Sequence, residues 1–152
     1  MGLNHTFFLV KQSETDFRKY LTAKSDINLH DDLLRYMIDT LYWIPSANFS
    51  GWKKKPSQGL SMWGSTIIEG EGLNILFKIM NAWINLFSCS PPKLKLTGPW
   101  TEHLDDEGNV EGEGYYSTLE LDRDEIIKNL EKLADYAQKA SNEGHYILHI
   151  GI

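Results

Sequence analysis

The sequence predicts an α+β fold: a mixed, mainly antiparallel sheet packed with helices, in the order β-α-α-β-α-β-β-α-β. Three observations predict it. Residues 73–88 and 126–137 carry apolar side chains at helical spacing. Short strand-like runs stand apart from them, the apolar HTFFLV at 5–10 and the alternating KLKLTG at 93–98 and HYILHIGI at 145–152. No repeat period interrupts the 152 residues, so one domain over 1–152 is expected.

The elements follow in order. HTFFLV joins aromatic and β-branched residues as the first strand. SETD at 13–16 has capping-box form, with Ser13 accepting from the Asp16 amide, and Phe17, Tyr20 and Leu21 then share one side of a short helix. NLHD at 28–31 repeats the device before Leu33, Leu34, Met37, Ile38 and Leu41, a helical stripe closed by Pro45. Gly, Pro, Ser and Asn punctuate 45–60, which predicts a loop. LSMWGSTII at 60–68 reads as a strand. The helix at 73–88 is apolar on nearly all sides, which predicts a central position, and Pro91 and Pro92 stop it. Residues 93–122 read as an antiparallel hairpin with a long acidic tip and a kink or bulge at Gly98–Pro99. Asp122 with Glu125 caps the last helix, Gly144 ends it, and 145–152 is the final strand.

Composition bounds the function. An apolar fraction of 41% suffices for a core without disulfide or metal. The one cysteine, Cys89, excludes an intrachain disulfide and fits a reducing compartment; it reads as a buried small hydrophobe. The opening MGLNHTFFLVKQSE lacks the basic region and cleavage pattern of a signal peptide, and no stretch is apolar enough to span a membrane, so a cytoplasmic protein is expected. Charge is uneven. Residues 1–100 hold eleven Lys/Arg against eight Asp/Glu, whereas 101–152 hold four against thirteen. Such a field repels nucleic acid and attracts basic surfaces.

EGEG occurs twice, at 69–72 and 111–114. In the first, acids beside a helix start are favoured by its unpaired amides, and the glycines permit a tight strand-to-helix turn. The second adds Glu111 and Glu113 to Asp105, Asp106 and Glu107. Its composition is that of a calcium loop, but the register fails: Val110 stands where glycine is required and Tyr116 where the final glutamate belongs. No metal or other cofactor is expected. His145 and His149 share a strand face but stand roughly 13 Å apart, too far to ligate one metal together. His5, His30 and His103 lack a signature, and His103 is the best general-base candidate should the protein be an enzyme. No nucleophile elbow or phosphate loop is present. Trp52, beside Lys53–Lys55, and Trp100, beside the acidic tip, are either tucked over a core edge or exposed as binding anchors.

A small acidic chain without a catalytic constellation, built around EGEGLNILFKIMNAWINLF and KLTGPW, is similar in kind to the immunity proteins of bacterial toxin systems. The likeness lies in size, charge and helix–sheet mixture and carries over no individual position. It implies a non-catalytic binder in a tight heterodimer with a basic toxin domain, without cofactor, nucleic acid or membrane. The residues of this chain that would then meet the partner are Asp105, Asp106, Glu107, Glu111 and Glu113, with Trp100 as anchor. The alternative is a small metal-dependent hydrolase or nuclease that brings Glu69, Glu71, Glu111, Glu113 and His103 around one ion.

Overall fold

A computed structural model describes residues 3–50 and 53–152. Six strands form one antiparallel sheet: β1 (Asn4–Lys11), β2 (Ile27–His30), β3 (Pro45–Ser50), β4 (Lys53–Gln58), β5 (Ser65–Ile68) and β8 (His145–Ile150), in the spatial order β2-β1-β8-β5-β3-β4. The other two, β6 (Lys93–Thr101) and β7 (Tyr115–Asp122), pair only with each other. The helices are α1 (Asp31–Tyr36), α2 (Ile38–Leu41), α3 (Glu71–Ser88) and α4 (Arg123–Glu143). The expected α+β order is present, with a 3-10 turn (Arg18–Tyr20) in the place of the first helix and the α1–α2 pair in that of the second, followed by β5-α3-β6-β7-α4-β8; β2, β3 and β4 are added to it.

Alternation along the central strands sorts side chains between two faces. Phe7, Ile68 and Ile147 face the helices, where they pack with Leu76 and Met80 of α3 and Leu130, Leu133 and Ala137 of α4. Phe8, Val10, Ala47, Ile67, Tyr146 and Leu148 form a second, smaller core on the opposite face, against Phe17 and Tyr20. β8 pairs with β1 on one edge and β5 on the other, and a core covers each of its faces, so its apolar residues run almost without a break. The chain end is thereby stitched into the sheet. In α4 the stripe Ile126, Leu130, Leu133, Ala134, Ala137 and Ala140 is buried, the Asp122 carboxylate accepts the Glu125 amide at 2.8 Å, and Gly144 closes the helix in the left-handed region.

Several local expectations are corrected. Residues 13–21 hold only a single 3-10 turn, because Glu14, not Ser13, accepts the Asp16 amide at 3.0 Å. His30 caps α1 through its ring, and the predicted second helix breaks at Met37 into two short pieces. Residues 45–58 are not a loop but the β3–β4 hairpin. Its polarity and Pro56 are what an edge strand requires: β4 ends the sheet, and lysines and proline discourage further pairing. Only Ser65–Ile68 of the predicted strand 60–68 joins the ladder. α3 is central on one side alone, since Leu86 is exposed. Cys89 is exposed at its end rather than buried. No helix among the described residues is long and apolar enough to cross a membrane.

Candidate partner-binding hairpin

The β6–β7 ribbon has an anchored base and a protruding tip. At the base, Leu94 pairs with Leu121 and Leu96 with Leu119; Leu94 is buried, and Leu96 and Leu121 pack against the main core. Lys93, Lys95 and Glu120 face outward, with Lys93 Nζ 2.7 Å and Lys95 Nζ 3.5 Å from the Glu120 carboxylate. The regular pairing breaks between Thr97 and Trp100, at the expected kink. Beyond it Trp100 pairs with Tyr116 and Thr101 with Tyr115, and all but Thr101 are exposed.

Trp100 is 52% exposed and Tyr116 64%, and their rings meet edge to face with centroids 5.0 Å apart. The indole Nε1–H donates to Glu102 Oε1 at 3.2 Å. Gly114 gives the indole its seat: a Cβ there would stand 2.3 Å from Trp100 Cζ2. His103 lies over Tyr115 at 5.4 Å, and Leu104 and Val110 form an exposed apolar bridge. These side chains make an aromatic and aliphatic patch along the ribbon.

Asp105, Asp106, Glu107, Glu111 and Glu113 are all exposed around that patch. They are not equivalent. Asp105 Oδ1 accepts the Glu107 and Asn109 amides at 2.9 and 2.8 Å, and those hydrogen bonds, led by Asn109, hold its carboxyl below the usual range. Asp105 therefore builds the turn, while the carboxylates of the other four accept no such hydrogen bond among the described residues. Gly112 adopts φ +79°, which lets the chain turn back into β7.

The first EGEG run lies elsewhere in the fold. Gly70 turns the chain at φ +54°, and a Cβ on Gly72 would meet the Pro45 carbonyl at 2.2 Å, so glycine lets α3 start against β3. Glu69 is ion-paired with Lys54 of β4, and Glu71 accepts from Asn74 at 3.4 Å. Among the described residues no three His, Cys, Asp or Glu side chains are placed to hold a metal. The two runs thus share letters because each needs glycine at a turn and at a close approach. Trp52 falls outside the described residues.

Sequence reasoning missed a buried polar chain. His5 and His149 are both 0% exposed, on the helix face of β1 and β8. His5 Nε2 lies 3.0 Å from Asp31 Oδ1, His5 Nδ1 lies 2.8 Å from His149 Nε2, and His149 Nδ1 lies 3.4 Å from Thr66 Oγ1. Arg35 Nε donates to Asp31 Oδ2 at 2.6 Å, and the Ser61 amide donates to Thr66 Oγ1 at 2.8 Å. The carboxylate only accepts, so with both imidazoles neutral the protons run one way: Thr66 donates to His149, His149 to His5, and His5 to Asp31. Burial, and then the neighbouring His5, depress the His149 pKa from 6.5 to about 3. For Asp31 burial favours the neutral acid, but hydrogen bonds from Arg35 and His5 outweigh it and keep the carboxyl below its ordinary value. The available signal was phase: His5 alternates with Phe7, and His149 with Ile147. No protein-family model, curated protein or solved structure matches the chain.

Proposed function

We propose that this chain is a non-catalytic binding protein whose β6–β7 hairpin docks a basic protein partner, in the manner of an immunity protein covering a toxin in the bacterial cytoplasm. One observation carries the reading: four unengaged carboxylates and the Trp100–Tyr116 pair all face solvent on one protruding ribbon. Aromatic anchors ringed by charge are the usual composition of an interface hot spot. Carboxylates this dense repel one another, and a cationic surface relieves that repulsion while steering the encounter.

Co-purification from the native cell followed by mass measurement identifies the partner. Binding is then measured across salt concentration for the wild type and for a chain with Asp106→Asn, Glu107→Gln, Glu111→Gln and Glu113→Gln together. Asp105 stays, because it builds the turn. Each exposed charge is worth up to about 1 kcal/mol, so the four together weaken binding about 10- to 100-fold and flatten the salt dependence. Trp100→Ala costs about 2 kcal/mol or more if Trp100 is the anchor. A complex indifferent both to salt and to the four carboxylates refutes the proposal.

A further inference from the structure

We infer that the groove between α1 and the base of the hairpin binds a carboxylate carried on a flat, largely apolar body, with Arg35 as its anchor. The groove has a volume of about 420 Å³. Arg35 and Tyr36 wall it on one side, and Thr97, Pro99 and Tyr116 on the other. It goes beyond the partner-binding reading: none of the five tip acids lines it, and it shares only Tyr116 with the proposed interface.

The argument starts from what holds Arg35. The hydrogen-bonded chain from Thr66 through His149, His5 and Asp31 runs out of the sheet interior and ends on this one guanidinium. Packed hydrophobes in place of such a buried network are commonly as stable or more so. What the network provides that hydrophobes would not is a guanidinium of fixed position at the groove wall. Only Nε is committed, to Asp31; among the described residues the terminal nitrogens Nη1 and Nη2 have no protein partner. Two parallel N–H groups on a planar fork match the two oxygens of a carboxylate.

The walls set the rest of the ligand. Tyr36 and Tyr116 present exposed rings, Pro99 adds an apolar surface, and Thr97 offers a hydroxyl. A flat ring fits between such walls better than a branched or strongly hydrated group. Asp32 stands at the same rim and opposes negative charge. Arg35 is itself paired with Asp31, so net charge does not draw an anion here; recognition rests on the two free N–H groups of the fork, and a doubly charged phosphate is opposed by Asp32 more strongly than a single carboxylate. The carboxylate belongs either to a free small molecule or to the end of a peptide chain.

The test uses the whole chain with 4-fluorophenylacetate, observed by fluorine NMR, and 4-fluorophenylacetamide as its neutral isostere. A tripeptide ending in free phenylalanine, against its C-terminal amide, forms the second arm. At least one acid binds in the millimolar range, about tenfold tighter than its amide. Arg35→Lys keeps the charge but loses the fork, and weakens binding about tenfold. Asp32→Asn strengthens it about threefold by removing the opposing charge. Because Arg35→Lys also touches Asp31, Tyr116→Ala on the exposed strand gives a second variant, expected to weaken binding about threefold with the melting temperature unchanged. Binding of the fluorinated acid assigns the carboxylate to a small molecule, and binding of the peptide acid alone assigns it to a chain end. The inference is overturned if neither acid binds at about 10 mM, if acid and amide bind alike, if Asp32→Asn weakens binding, or if inorganic phosphate displaces the acid at equal concentration.

Discussion

Acidification should destabilise this fold through His149 before any carboxylate titrates. The imidazole is neutral in the folded protein down to a pKa of about 3, whereas the unfolded chain takes up the proton near 6.5. The folded pKa is depressed, so the contribution is complete above the unfolded value and is lost as pH falls toward the folded one. Each pH unit inside that window is worth 1.36 kcal/mol. Between pH 7.5 and 4.5 the loss from this one group is about 2.7 kcal/mol, a large part of a typical domain stability. Urea unfolding followed by tryptophan fluorescence over that range measures it, with His149→Gln as the comparison. The glutamine amide supplies an N–H toward His5 but does not titrate, so its curve lacks that loss. Superimposable pH dependences in the two proteins would refute the reasoning. The ring itself gives a second check: His149 in the intact wild type shows no imidazole titration between pH 7.5 and 4.5, and a midpoint near 6.5 there would contradict the buried neutral tautomer.

Other perturbations separate packing from propensity. Gly72→Ala would gain about 1 kcal/mol in an ordinary helix, but here its Cβ meets the Pro45 carbonyl at 2.2 Å, so the net effect is a loss of about 1–3 kcal/mol by urea unfolding. Leu130→Ala, at a fully buried position between α4 and the sheet, costs about 2–5 kcal/mol in the same assay. Asp105→Ala releases the Glu107 and Asn109 amides, so hydrogen exchange accelerates across the tip while the melting temperature of the body barely moves.

The parts of the fold legible in the sequence are those with a strong local signal. The α4 stripe, the Asp122 cap, Gly144 and the alternating leucines of the hairpin base each carry their own periodicity or terminus chemistry. Residues 45–58 were illegible for a physical reason. An edge strand is stabilised from one side and protected on the other by lysine and proline, which are also loop residues. At 13–21 the amphipathic spacing was real, but Phe17 and Tyr20 pack onto the second sheet face from an irregular strap instead of a helix. The acidic tip could be read, because its hairpin is local. The His5–His149–Asp31 chain could not, since its members lie up to 144 residues apart and meet only when β8 inserts beside β1. The Arg35 groove shares that property, as α1 and the hairpin approach each other only in the folded chain.

The register shift at Gly98 explains why the candidate interface lies where it does. Gly98 passes so close to Ser117 that a Cβ would stand 2.3 Å from its hydroxyl, and past this crossing the ribbon no longer returns its side chains to the core. The leucine pairs end there, and the exposed aromatics begin. A two-stranded ribbon alone is marginal in water. The Asp105 turn, the Leu104–Val110 bridge and Trp100 seated on Gly114 meet that need. The carboxylates of Asp106, Glu107, Glu111 and Glu113 contribute to none of these devices, and their mutual repulsion acts against the turn that carries them. The fold thus accounts for the shape of the tip and not for its charge, and the proposed docking of a basic partner would account for the charge.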